Sequence, residues 1–181
     1  MTEQKYNSAK TSLNQIPAAF RRLNRALARP EAFWAQIQDC LDYGGGKYDA
    51  FTDRLAEMRV RNWVYDPFNR TPEHNAFVRK MLWTSQADIA FCCSVLNVIR
   101  EPEIRQNVLQ DIARLTKPGA TVIISVYEGN RSSRGRKTSK GWQANRLLKN
   151  YVKEVKVVFP FVELVPNKFI RAHAAYVNER I

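Results

Sequence analysis

Apolar residues along this chain follow two rhythms, a helical spacing of about 3.6 residues and short unbroken runs bounded by turn formers. Residues 12–28, SLNQIPAAFRRLNRALA, set Ile16, Ala19, Phe20, Leu23 and Leu27 on one face and Arg21, Arg22 and Arg25 on the other, which predicts an amphipathic helix. PEAFWAQIQ begins with Pro30, a residue tolerated in the first turn of a helix, and predicts a second, shorter one. A strand is expected at 38–43 (QDCLDY), a helix at 47–58 with Phe51, Leu55 and Met58 in phase, and a strand at 61–66 (RNWVYD). A helix follows at 72–82, opening with proline and glutamate.

The run ADIAFCCSVLNVI (87–99) has the length and apolarity of a strand buried on both faces plus its following turn. EPEIRQNVLQDIARLT (101–116) carries Ile104, Val108, Leu109, Ile112 and Leu115 on one stripe, KPG at 117–119 is expected to stop that helix, and ATVIISVY (120–127) is another buried strand. After a basic stretch, WQANRLLKNYVKEVKVVF resumes a helical pattern, and FVELV and KFIRAHA, separated by Pro166 and Asn167, predict a terminal hairpin. Helices alternating with buried strands define an α/β chain built on a parallel sheet with helices on both faces. Residues 1–11 are polar and are expected to form a flexible N-terminus, with one domain over 12–181.

Composition sharpens this picture in three respects. The 181 residues carry 29 Lys+Arg against 17 Asp+Glu, a formal charge of +12, which favours acidic partners such as nucleic acid. Cys40, Cys92 and Cys93 lack a CxxC pair and sit in apolar runs, as buried reduced thiols do in a cytoplasmic protein, and His74 and His173 lie outside finger spacing, so no metal site is expected. Neither a secretory h-region nor a stretch of 18 apolar residues is present, so neither secretion nor membrane spanning is predicted. The basic loop 129–141 is the one low-complexity segment, and its length makes it either functional or disordered.

The candidate chemistry lies at DCLDYGGGKYDAF (39–51), where three of the chain's seven glycines stand together. A glycine turn between a parallel strand and a helix lets backbone approach a ligand, and an acid about 20 residues on, at the end of the next strand, accepts hydrogen bonds from a ribose. Asp42, Gly44, Gly46 and Asp66 meet both conditions. A dinucleotide site wants a third spaced glycine, but the residue three after Gly46 is Asp49, whose charge would repel a diphosphate. A phosphate-free adenosyl group tolerates that acid, and Asp42 can face a sulfonium. Two plainer readings stay open here: the glycines form only a tight turn, and Asp66 only caps a turn with Pro67.

These residues resemble a known family. LDYGGGKYD is similar to the first motif of class I S-adenosylmethionine-dependent methyltransferases, and VYDPFNR to their second, with Asp66 in the ribose position. SVLNVIREPEIR, SVYEG and GWQxN resemble further motifs of a small phage and bacterial subgroup, so the likeness runs from about residue 12 to about residue 171. The resemblance implies a Rossmann-like sheet of order 3-2-1-4-5-7-6 with the last strand antiparallel, yet residues 70–87 hold one helix and no convincing third strand, so six strands are expected. It also implies S-adenosylmethionine as cofactor, held by Asp42, Gly44, Gly45, Gly46, Asp66, Pro67 and Ser94, and a cytoplasmic location, the host's if the chain is phage-encoded.

By the same resemblance Asn97, Tyr127 and Glu128 form the candidate catalytic edge, with Glu128 as the candidate base. Residues 131–153 hold eight Lys/Arg and no acid, with Trp142 and Tyr151 interleaved. Arg134, Arg136, Lys137, Trp142, Gln143 and Asn145 are therefore candidate acceptor-binding residues, for phosphates and stacked bases; the alternative is a solvated cationic face. Base N-methyltransferases usually carry [DNS]-P-P-[YFW] where this chain has Ser94, Val95, Leu96 and Asn97, which disfavours adenine-N6 and cytosine-N4 acceptors. The expected function is methyl transfer to a nucleic acid or nucleotide, the alternatives being a noncatalytic cofactor- or nucleic-acid-binding protein on the same fold and a small-molecule methyltransferase.

Overall fold

The computed structural model describes residues 16–139 and 141–175. The expected flexible segment 1–11, the start of the helix predicted from residue 12, and one residue of the basic loop lie outside them. Chain order is α1 (Ala18–Ala26), α2 (Pro30–Trp34), β1 (Asp39–Tyr43), α3 (Ala50–Ala56), β2 (Arg61–Tyr65), α4 (Pro72–Ser85), β3 (Ala87–Cys93), α5 (Pro102–Leu115) and β4 (Thr116–Ser125). Then come β5 (Arg136–Thr138), β6 (Gly141–Gln143), α6 (Val152–Lys156), β7 (Phe161–Val165) and β8 (Phe169–His173).

Six strands form one sheet of order β2-β1-β3-β4-β8-β7, parallel from β2 to β4, with β8 antiparallel to both its neighbours. That is the implied order with its third strand missing. After β2 the chain has only α4 before it returns as β3, so β2 is the sheet edge. Helix α4 starts where Thr71 accepts from the His74 amide and Pro72 occupies its first position.

Alternation along the central strands feeds two cores. Leu41, Ala90, Cys92, Val122 and Ile124 join α4, α5 and α6 through Leu82, Leu109 and Val155 on one face. Cys40, Ile89, Phe91 and Ile123 meet Phe20, Leu23, Trp34, Phe51 and Leu55 of α1, α2 and α3 on the other. Each such Leu or Phe, being nearly solvent-free, contributes about 1.5–3 kcal/mol relative to exposure. All three cysteines are free thiols, with Cys40 and Cys92 buried in these cores.

Two sequence expectations need correction. Lys117, Pro118 and Gly119 do not separate a helix from a strand, because pairing begins at Thr116 and the three residues fall at an irregularity of β4, where the Gly119 amide donates to Ala174. Residues 142–159 do not form one long helix. Their start is β6, and only a 3-10 turn, Leu148–Tyr151, and the short α6 are helical. The apolar residues there have helical spacing, but Gln143 and Asn145 are drawn into contacts with the preceding loop.

Strands β1 and β3 are neighbours whose crossovers leave in opposite directions, so a crevice opens at their carboxyl ends. One buried ion-pair cluster secures its wall. Arg105, only 5% exposed, donates twice to Glu154 and twice to the carbonyls of Ile99 and Arg100. Glu154 also pairs with Arg146 at 2.8 Å, so Arg105→Ala leaves the carboxylate partnered but takes the donor from the Ile99 and Arg100 carbonyls, an expected loss of about 1–3 kcal/mol in urea denaturation.

Candidate active site

The glycine loop is shaped by close approach on two sides. Gly44 has φ +76°, and a Cβ there would come within 2.3 Å of Val95 Cγ2. At Gly45 a Cβ would lie 2.2 Å from Asp42 Oδ2, and Gly46 again has φ +76°. Side chains are thus excluded by backbone conformation at two positions and by contact at the third.

Asp66 fastens this loop to the end of β2. Its Oδ2 accepts the Gly46 amide at 2.8 Å, and its Oδ1 accepts the amides of Phe68 and Asn69, each at 3.0 Å. Arg70 completes the clasp, donating from Nε to the Gly46 carbonyl at 2.7 Å and pairing with Asp49 at 2.6 Å. The charge of Asp49 is therefore partnered. Asp66 caps its turn and also lines the neighbouring cavity.

That cavity, of ≈ 430 Å³, is bounded by Gly44, Asp66, Pro67 and Ser94 from the expected cofactor set. Its volume lies in the range of small-molecule sites. Apolar walls come from Phe68, Val95, Ile99, Ile104 and Val108. Sequence reading assigned Ile104 and Val108 to a core stripe, yet Ile104 is 45% exposed and faces the cavity. The signal available was their place at the start of the helix following β3, which brings the first turns of α5 to the carboxyl edge. Asp42, Gly45 and Gly46 stand outside the lining, behind the loop.

Thr138, Trp142 and Gln143 form the cavity's third side. Strands β5 and β6 pair as a small antiparallel hairpin, with Thr138, Trp142 and Gln143 lining the cavity and Arg134, Arg136 and Lys137 exposed. A Cβ on Gly135 would lie 1.9 Å from the Trp142 ring, while the Arg100 guanidinium sits 5.1 Å from its centroid. Asn145, with φ 52°, accepts from the Asn130 amide and donates to the Arg134 carbonyl. It is a clasp inside the loop. Among the described residues the basic stretch is thus a strand pair with a clasp, and the glycine and asparagine that punctuate it serve close packing.

Asn97 is 1% exposed and links three segments, donating to Gln143 Oε1 at 3.2 Å, accepting from the Tyr127 amide at 3.3 Å, and receiving the Ala144 amide on its carbonyl at 2.8 Å. Gln143 Nε2 returns to the Tyr127 carbonyl at 3.0 Å. The Tyr127 side chain is 64% exposed at this edge. Glu128 accepts the Leu148 amide on Oε1 at 2.8 Å and pairs through Oε2 with Arg131 at 2.9 Å. Ser94, at φ +62°, donates its amide to the Ser125 carbonyl, continuing the β3–β4 ladder into the cavity rim.

The lining fits a phosphate-free adenosyl group. No Lys or Arg lies among the described residues that bound the cavity, and its one carboxylate is Asp66. No group of three or more His, Cys, Asp or Glu that could hold a metal ion occurs among the described residues. Nor does any helix among them have the length and apolarity to cross a membrane.

Comparison with known proteins agrees with this geometry. A family model described as a methyltransferase domain matches residues 12–155, and the chain belongs to that family. Its cofactor is S-adenosylmethionine and its activity is methyl transfer from it. No curated protein matches in sequence. Among solved structures, the fold is similar to that of 1,6-didemethyltoxoflavin-N1-methyltransferase from Burkholderia thailandensis, which holds 1,6-didemethyltoxoflavin and S-adenosylhomocysteine (TM-score 0.59, 18% identity, 88% of this chain and 80% of that one). It is also similar to the N-methyltransferase NodS from Bradyrhizobium japonicum WM9 (TM-score 0.50, 12% identity, 87% and 97%). An O-methyltransferase family protein from Burkholderia thailandensis has TM-score 0.51 and 13% identity over 86% of this chain, which spans 57% of its length.

Two outcomes follow from this site. Burial, with the Asp66 charge nearby, pushes the Asp42 carboxyl up to about 7, while Arg70 pulls it down. Between the ordinary aspartate value of about 4 and that value, the folded chain keeps a proton that the unfolded chain has released, so this stabilising contribution is complete below about pH 4 and is lost as pH rises towards 7. Melting curves of Asp42→Asn relative to the unaltered protein are expected to shift in the variant's favour from pH 4 to pH 8. Trp142→Ala should open the hairpin side of the cavity and weaken S-adenosylhomocysteine about tenfold in calorimetric titration, as loss of about 1.4 kcal/mol requires.

Proposed function

We propose that the methyl acceptor is a nucleotide or a nucleic acid brought to the carboxyl edge of the sheet beside Tyr127. One observation carries this reading: the element that closes the cofactor cavity is also the most cationic part of the chain, with Arg134, Arg136 and Lys137 exposed on a hairpin whose Thr138, Trp142 and Gln143 line that cavity. A polyanion held by those cations would bring its bases to the cavity mouth.

In this reading the loop Gly44–Gly46, Asp66, Pro67 and Ser94 hold the cofactor, and the buried Asp42 backs Gly45 from behind the loop. When bound, the cofactor supplies a methyl carbon activated by the adjacent sulfonium. The chain's own residues supply position and exclusion of water. Asn97 and Gln143 fix the edge, Tyr127 offers a ring to an incoming base, and Asn145 keeps the cationic loop in shape. Glu128 lines the neighbouring cavity and not the cofactor's, so in this reading it positions the edge by holding the Leu148 amide and Arg131.

A small-molecule acceptor is the second reading. It draws on the apolar cavity walls and on the fold's likeness to a methyltransferase that binds 1,6-didemethyltoxoflavin.

The test uses labelled S-adenosylmethionine with DNA, RNA, mononucleotides and a small-metabolite extract, each followed by mass spectrometry. Label in nucleotide or polymer is expected, together with loss of label in Asp66→Ala. Label confined to the metabolite extract would overturn the acceptor assignment. Binding to a random oligonucleotide should weaken about tenfold between 50 and 200 mM salt, and the triple change Arg134→Gln/Arg136→Gln/Lys137→Gln should flatten that dependence.

A further inference from the structure

The same edge of the sheet carries a second cavity, of ≈ 230 Å³, with Tyr127, Glu128 and Arg131 in its wall. Arg22 of α1 and Lys168 of the β7–β8 turn also face it. One hydrogen bond joins it to the cofactor cavity, because the Tyr127 carbonyl on this side holds the Gln143 amide that lines the other.

Three cations from three segments distant in sequence meet here against a single carboxylate. Both oxygens of that carboxylate are engaged, by the Leu148 amide and by Arg131. Arg22 is held at the cavity, its Nη1 donating to the Lys168 carbonyl at 3.1 Å. That bond occupies one of the five guanidinium donors. Of the three cations only Arg131 has an acid partner, Glu128. Among the described residues neither Arg22 nor Lys168 has a carboxylate partner.

A helix face and a turn brought together with an excess of positive charge, inside a concave and mostly polar wall, have the chemistry of an oxyanion site. We propose that this cavity binds a phosphate group of the methyl acceptor, held by Arg22, Arg131 and Lys168. The claim rests on the nucleotide reading for the molecule to which the phosphate belongs, and the site stands on its own residues. The adjacency of the two cavities gives the acceptor a definite form: its reacting atom turns to the cofactor side of Tyr127 while its phosphate lies on the other. A terminal monoester and a backbone diester share this chemistry.

The test titrates inorganic phosphate into the full chain by calorimetry, with S-adenosylhomocysteine binding and melting temperature measured on each variant. Arg22→Gln/Lys168→Gln is expected to weaken phosphate about tenfold or more, while Lys153→Gln/Lys156→Gln, which removes equal charge from α6, changes it less than about twofold. Arg22→Lys should retain most of the binding, which separates loss of charge from damage to α1. Equal weakening by both double variants, or no saturable phosphate binding to the unaltered chain, would overturn the site. Saturable binding lost only in Arg22→Gln/Lys168→Gln, with label found solely in phosphate-free acceptors, would keep the site and remove the nucleotide reading. Stronger competition by adenosine 5'-monophosphate than by a dinucleoside monophosphate assigns the terminal phosphate, and the reverse order assigns the backbone.

Discussion

The carboxylate of Asp66 is the point on which the site's geometry turns. It takes the Gly46 amide from the loop after β1 and the Phe68 and Asn69 amides from the turn after β2, so two strand ends that would otherwise fray are locked to each other. Around it, Asn75 of α4 exchanges hydrogen bonds with the Asp66 backbone, accepting from its amide and donating to its carbonyl. The crevice floor is thereby tied to a helix and to two strands. Because Asp66 is only 4% exposed, losing its carboxylate would leave several buried donors without partners.

Most of the architecture was legible because the central strands are short unbroken apolar runs, the helices have a period of about 3.6, and the crossovers are short. The missing third strand could be read from what lies between Asp66 and Ala87, since one proline-initiated helix uses that segment almost entirely. The glycine loop was legible for a different reason: three consecutive glycines are rare in this chain and have few uses. Asp42 was harder. Its position at the end of β1 suggested a direct role facing the cofactor, whereas the strand's pleat sends its side chain beneath Gly45.

The basic segment was the least legible part. Composition distinguishes a charged loop from a core, but it does not say that Asn145 adopts a left-handed conformation or that the loop folds back onto Gly129 and Asn130. Those contacts are between residues about 15 apart in sequence with no periodicity to announce them. The same holds for Ile104 and Val108, where helical spacing marks an apolar stripe without indicating whether it meets the core or a ligand. Charge counts were similarly silent on location. They gave the sum, while the fold put Arg22 and Lys168 at one cavity and Arg134, Arg136 and Lys137 on a hairpin.

The hairpin has one consequence of a thermodynamic kind. Trp142 packs under Gly135 on the strand pair whose other residues are the exposed cations, so its inner and outer faces belong to one body. Any ligand that orders this body from the cavity side lowers the entropy that a ligand on the cationic side must still remove, and the coupling is reciprocal. Two ligands bound to opposite faces would then raise each other's affinity by the same factor, even where they share no contact. Saturation with one would narrow the ensemble that the other has to select from.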